Sequence, residues 1–146
     1  MAALPPPAAE PSSHPVEVGQ RTEAAILGEF VRRGYRVFVP FGVNHRYDLL
    51  LDLGDRFLRV QCKTGRLRNG SVTFRTQSIR SNRRGVFRRG YDGEIDLFAV
   101  YCPELDRVYA VPIEVAPGAE GWLRVDPTVN NQSKRIRWAA DFELPA

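Results

Sequence analysis

Cysteine, histidine and lysine are scarce in this chain, and long apolar runs are missing. Its 146 residues hold two cysteines, Cys62 and Cys102. They fit no metal-ligand spacing and build no disulfide framework. Both fall in apolar, strand-like runs, so buried free thiols in a reducing cytosol are expected. No run of 18 apolar residues occurs, which excludes a membrane-spanning helix. The first residues lack the charged and apolar regions of a secretory signal peptide. A cytoplasmic protein without a membrane partner is expected. No glycine-rich phosphate loop or serine-hydrolase motif is present.

Lysine is rarer still in proportion: Lys63 and Lys134 stand against 19 arginines. Acidic residues are missing from one segment only. Residues 63–90 carry Lys63, Arg66, Arg68, Arg75, Arg80, Arg83, Arg84, Arg88 and Arg89 with no Asp or Glu. The rest of the chain holds 12 basic and 17 acidic residues, so the overall charge of +4 hides a mildly acidic body beside one basic segment. That pattern points to a polyanionic partner. A GC-rich genome explains arginine in place of lysine, but not the local loss of acids. The expected partner is DNA; charge alone does not separate it from RNA.

Five of the eleven prolines lie in residues 1–15, which read as a disordered tail ahead of one folded domain, 16–146. From Val16 to Gly34 the pattern is helical. Ile26, Leu27, Phe30 and Val31 form an apolar stripe, and Gly34 suits a C-cap. Glu23 falls within that stripe. A carboxylate there needs a partner, unless the helix start is frayed and the group solvated. Tyr35–Pro40 reads as a strand, Phe41–His45 as a loop, Arg46–Leu53 and Arg56–Thr64 as a hairpin turning at Gly54-Asp55, and Ser71–Thr76 as a short strand. Residues 77–90 read as a long loop or short helix. Glu94–Tyr101 and Arg107–Ile113 read as further strands, and Lys134–Trp138 as a final strand or a docking segment. Trp122 and Trp138 are assigned to the core.

In Leu58-Arg59-Val60-Gln61-Cys62-Lys63 the apolar residues alternate with polar ones. Gln61 and Lys63 therefore share one face of the strand. The plain reading is an edge strand with a solvated face. The other is a site. Hydrolysis of a phosphodiester is helped by a divalent metal that activates water and neutralises charge. Mg²⁺ takes oxygen donors, and Mn²⁺ is expected to replace it. Asp48 and Glu23 offer carboxylates, Gln61 an amide oxygen, and backbone carbonyls such as that of Cys62 fill further positions. Lys63 can orient the attacking water and stabilise charge on the phosphate. Asp96 reads as a hydrogen-bonded structural residue or a supporting residue of the site. His45 reads as a solvated loop residue within reach of phosphate.

The run Glu23, Pro40, Arg46-Tyr47-Asp48 and Val60-Gln61-Cys62-Lys63-Thr64 resembles the PD-(D/E)XK nuclease superfamily. It is closest to the subgroup with Gln-X-Lys in place of Glu-X-Lys, which includes homing endonucleases of bacterial tRNA introns. Gly19, Pro40-Phe41-Gly42-Val43-Asn44 and Tyr91-Asp92-Gly93-Glu94-Ile95-Asp96-Leu97-Phe98 extend the resemblance over about residues 19–112. It implies an α/β, restriction-endonuclease-like αβββαβ core with a mixed central sheet. It also implies an Mg²⁺-dependent DNA endonuclease with catalytic residues Glu23, Asp48, Gln61 and Lys63, among which Asp48 is the principal metal ligand. The arginines at 66, 68, 75, 80, 83, 84, 88 and 89 are expected to bind DNA. A homo-oligomer, dimer or tetramer, is expected because one short chain holds one site. A junction-resolving or repair nuclease on this scaffold, and a DNA-binding module without catalysis, are the alternatives.

Overall fold

The computed structural model describes residues 3–116, 118–128, 130 and 135–145. Residues 3–14 are exposed and carry no helix or strand. Helix α1 (Pro15–Arg32) follows at once: His14 accepts the Val16 N–H on its side chain and Pro15 opens the first turn, where its missing N–H costs nothing. Gly34 ends the helix at φ 88°, donating to the Val31 carbonyl. The buried line of α1 is Thr22, Ile26 and Phe30. Val31 is exposed, and Glu23 lies beside this line instead of within it, exposed but in ordered helix. The stripe is rotated from the expected one because Thr22, a polar residue, belongs to it.

A five-stranded mixed sheet has the order β1 (Arg36–Phe38), β2 (Leu49–Asp52), β3 (Phe57–Thr64), β8 (Leu97–Cys102) and β9 (Arg107–Pro112). Only β3 and β8 run parallel. One face packs under α1 through Leu49, Leu51, Val60, Cys62, Ala99 and Val108. The other face buries Phe98, Val100, Cys102, Tyr109 and Val111. It is covered by a small sheet of β4 (Arg66–Arg68), β5 (Ser71–Arg75) and β10 (Glu120–Arg124) in the order β10-β5-β4. Gly65 lets the chain pass from the large sheet to the small one: a Cβ there would stand 2.7 Å from Val72 Cγ1 and 2.8 Å from Val100 Cγ1. Both cysteines are free and buried.

The α/β fold with a mixed central sheet is the expected one, with one change. Among the described residues α1 is the only α-helix; the second helix of the αβββαβ pattern is replaced by a two-stranded ribbon, β6 (Ser78–Asn82) and β7 (Gly85–Arg89). The reading of 77–90 as loop or helix is corrected accordingly. Both faces of this ribbon are largely exposed, so it carries no apolar alternation to announce it. Trp122 is also corrected: it is 59% exposed, because Gly121 and Leu123 take the inward positions of β10. Lys134 lies outside the described residues. Trp138 makes one parallel bridge to Arg124 ahead of a 3₁₀ turn, Ala139–Phe142, whose Ala139 enters the core. This segment docks against the sheets and adds no strand to them. Among the described residues no helix is long and apolar enough to cross a membrane.

Candidate active site

The end of β3 is where three elements meet. Thr22 of α1 and Thr64 of β3 share a hydrogen bond of 2.5 Å in a half-buried position. This pins the first half of the helix beside the strand's end and brings Glu23 near residues 48 and 62. From the second strand comes Asp48, which precedes β2 instead of lying within it. Leu49 is the cross-strand partner of Val60, and the Asp48 N–H also donates to the Val60 carbonyl (2.8 Å). Two residues therefore oppose one, the pattern of a β-bulge, which re-aims side chains at the end of a strand pair. Asp48 Oδ2 accepts the Cys62 N–H at 2.8 Å. In a strand, N–H and C=O of one residue point the same way, so the Cys62 carbonyl also faces the Asp48 side. Gln61 and Lys63 are opposite Phe98 and Val100 of β8, on the face turned away from α1, and both are half-buried.

The electrostatics of this corner are unfavourable to bare negative charge. Burial raises the Asp48 carboxyl above its ordinary range, and the Cys62 N–H and the Lys63 charge only partly offset it. Glu23, exposed as a residue but with its carboxyl partly screened from water, is raised as well, first by that partial desolvation and then by repulsion from Asp48. Burial and the same two carboxylates push the Cys62 thiol well up, so it is a neutral core group there. A divalent cation would relieve this crowding. The donors fit a hard one: among the described residues, Asp48 Oδ1 and the Glu23 carboxylate make no hydrogen bond. No three His, Cys, Asp or Glu side chains are preassembled among those residues. Further protein donors would then be the Gln61 amide and the Cys62 carbonyl, oxygen ligands of the kind Mg²⁺ accepts.

Two residues to which sequence reasoning assigned no role complete the corner. Lys63 Nζ donates to the hydroxyl of Tyr91 at 3.0 Å. Arg46 lies over the same ring, its Cζ 4.1 Å from the Tyr91 ring centroid. Their signal was present, since Arg46 and Tyr91 sit in the two motifs that flank Asp48 and Asp96. Nothing local told that the motifs touch. Asp96 itself serves the fold. It receives the Arg59 N–H (2.7 Å) and the Arg59 guanidinium (3.2 Å), which tie β3 to β8 and hold its carboxyl below the usual range.

Seven of the nine basic residues of the segment divide between two grooves. Lys63, Arg66, Arg68 and Arg75 line one of about 480 Å³, with Glu120 at its wall. Asn44, His45, Arg46, Arg80, Arg84 and Arg89 line the other, about 730 Å³. His45 closes its own loop through the Phe41 carbonyl (2.6 Å). Arg83 occupies the ribbon turn, and Arg88 lies on the ribbon face that also carries Ile79. The segment without acids is not a surface without acids. Glu94 holds Arg89 at 2.7 Å and Glu104 lies 3.8 Å from Arg66.

Comparison with known proteins bears on the fold and the family. The model of the PD-(D/E)XK endonuclease family matches residues 13–145. The chain belongs to the PD-(D/E)XK endonuclease family. A solved structure titled as a bacterial homing endonuclease, I-Ssp6803I, superposes with a TM-score of 0.73 at 27% identity, over 90% of this chain and 89% of that one. No curated protein matches significantly. For this PD-(D/E)XK protein the restriction-endonuclease-like core is the one described above.

Proposed function

We propose that the protein is a Mg²⁺-dependent DNA endonuclease, with Mn²⁺ able to replace Mg²⁺, and that Glu23, Asp48, Gln61 and Lys63 form its active site. The observation that carries the reading is Asp48, hinged on the Cys62 N–H and within electrostatic reach of both Glu23 and Lys63. Asp48, Glu23, Gln61 and the Cys62 carbonyl would hold the metal. When bound, it supplies Lewis acidity and lowers the pKa of water. Lys63 presents a compact cation where charge develops on the phosphate, and its ammonium can hold the attacking water in line. The bond between Asp48 and the backbone keeps one carboxylate oxygen fixed while the other remains for the metal.

The substrate reading rests on the two basic grooves and on the ribbon. A two-stranded β-ribbon fits the major groove of duplex DNA. Cross-strand pairing places Arg80, Asn82 and Arg89 on one ribbon face, the face that lines the larger groove. The solved relative is titled a homing endonuclease, and site-directed cleavage of duplex DNA is the corresponding reading here. Cutting both strands calls for two copies. Phe38, Val39, Phe41 and Val43 are at least half exposed along the edge strand β1 and its loop, and a second chain is the partner we assign to this surface.

Purified protein incubated with supercoiled plasmid tests the reading. Nicked and linear products are expected with Mg²⁺ and none with chelator. Binding without cleavage in either Mg²⁺ or Mn²⁺ would reduce the protein to a DNA-binding module. Preferential cutting of a four-way junction would move it to the resolvases, and cleavage of RNA alone would replace the substrate.

A further inference from the structure

We infer that Tyr91 is a positioning residue for Lys63, a neutral tether that aims the ammonium without cancelling its charge. The inference rests on the nuclease reading above. Tyr91 is 4% exposed, and its ring meets Phe98 edge-on at 5.7 Å between centroids. Its carbonyl is held by the Glu94 N–H at 2.9 Å. Its hydroxyl takes the Lys63 Nζ bond at 3.0 Å, and Nζ lies 4.8 Å from the ring centroid. One residue thus offers the ammonium both a lone pair and a π face.

The ring cannot swing away. Arg46 sits over it and is itself held by three partners: Glu94 Oε2 (2.7 Å), Ser78 Oγ (2.9 Å) and the Gly90 carbonyl (2.6 Å). These partners lie in the turn beyond the ribbon, at the first residue of β6 and just after β7. Arg46, tied to the base of the basic ribbon, and the catalytic lysine therefore both bear on the Tyr91 side chain.

A free lysine side chain samples many rotamers, and misplacing a reacting group by about 1 Å can cost roughly 10²-fold in rate. A carboxylate at this position would hold Lys63 more firmly but would neutralise it. A phenol holds it and leaves its charge available to the phosphate. That is the chemical reason for a tyrosine here, beyond filling the core against Phe98.

Tyr91→Phe removes only the hydroxyl and keeps the ring, the Phe98 contact and both cation–π contacts. Thermal stability and DNA affinity should stay close to wild type. Single-turnover cleavage at saturating protein should fall about 10–100-fold. In a Lys63→Ala background the same change should cost little, since the tether then holds nothing. An independent readout uses the fact that Lys63 and Lys134 are the only lysines. The ¹³Cε resonance of Lys63, assigned by its loss in Lys63→Ala, should be motionally restricted in wild type and mobile in Tyr91→Phe. Unchanged Lys63 dynamics would overturn the inference. So would wild-type cleavage by the variant, or an equal loss in both backgrounds. If wild type cuts nothing but the Lys63 resonance loosens as expected, the nuclease reading fails and the tether stands.

Discussion

Asp48 accepts the backbone N–H of Cys62 through Oδ2 at 2.8 Å, so the acid is fixed to the middle of the Gln61-Cys62-Lys63 run. The bulge at Asp48 and Leu49 makes this possible. Without the additional residue opposite Val60, Asp48 would continue the β2 ladder in register.

Replacing that acid by its amide separates charge from shape. Asp48→Asn keeps an oxygen for the Cys62 N–H and removes the negative charge. Cleavage should be lost. Stability without metal should rise at neutral pH, because groups placed for activity are commonly held at a cost to stability. A carboxyl raised by folding contributes stability that is complete at low pH and is lost as pH rises through its folded pKa. Both Asp48 and Glu23 are raised. The stability of wild type relative to Asp48→Asn should therefore decline as pH rises above the ordinary carboxylate range. Denaturant titrations at several pH values check this. A difference independent of pH would refute it.

Mg²⁺ should reverse that penalty. Saturation at about 100 times Kd stabilises a protein by roughly 2.7 kcal/mol, so wild type should gain several degrees in Tm with Mg²⁺. Asp48→Asn should gain almost none. An equal shift in both proteins, read by differential scanning calorimetry, would place the cation elsewhere.

Lys63→Ala should retain its fold and nearly all its DNA affinity, because Lys63 is one of nine basic residues in its segment. Cleavage should drop by about 10²–10³-fold. Lys63→Arg should not recover it, since a planar guanidinium cannot take the place of a compact ammonium against the Tyr91 hydroxyl. Near-normal rates in either variant would leave Lys63 an ordinary strand lysine.

Arg80 and Arg84 line the same groove, whereas Arg88 lies on the other ribbon face. Neutralising Arg80 and Arg84 together should lower the slope of log affinity against log salt by about 2. Neutralising Arg88 should change it much less. Equal effects from all three, measured by fluorescence anisotropy across a salt series, would show that the ribbon does not present one face to DNA.

The features legible in the chain itself are local ones. Alternation along β3 put Gln61 and Lys63 on one face, because successive strand side chains point to opposite sides whatever the rest of the chain does. The breaks at Gly34 and Gly54-Asp55 marked a helix end and a hairpin for the same kind of reason. The remaining features came only with packing. The Thr22–Thr64 pin spans 42 residues, the Arg59–Asp96 tie 37 and the Lys63–Tyr91 tether 28; each exists only because β3 pairs in parallel with β8 and α1 packs across them. The ribbon and the outward Trp122 were illegible for a related reason. Burial pattern is the signal that reading a sequence depends on, and an exposed ribbon has none. Residue types and their periods are written into the chain, whereas the meeting of Asp48, Glu23 and Lys63 is a property of the packing.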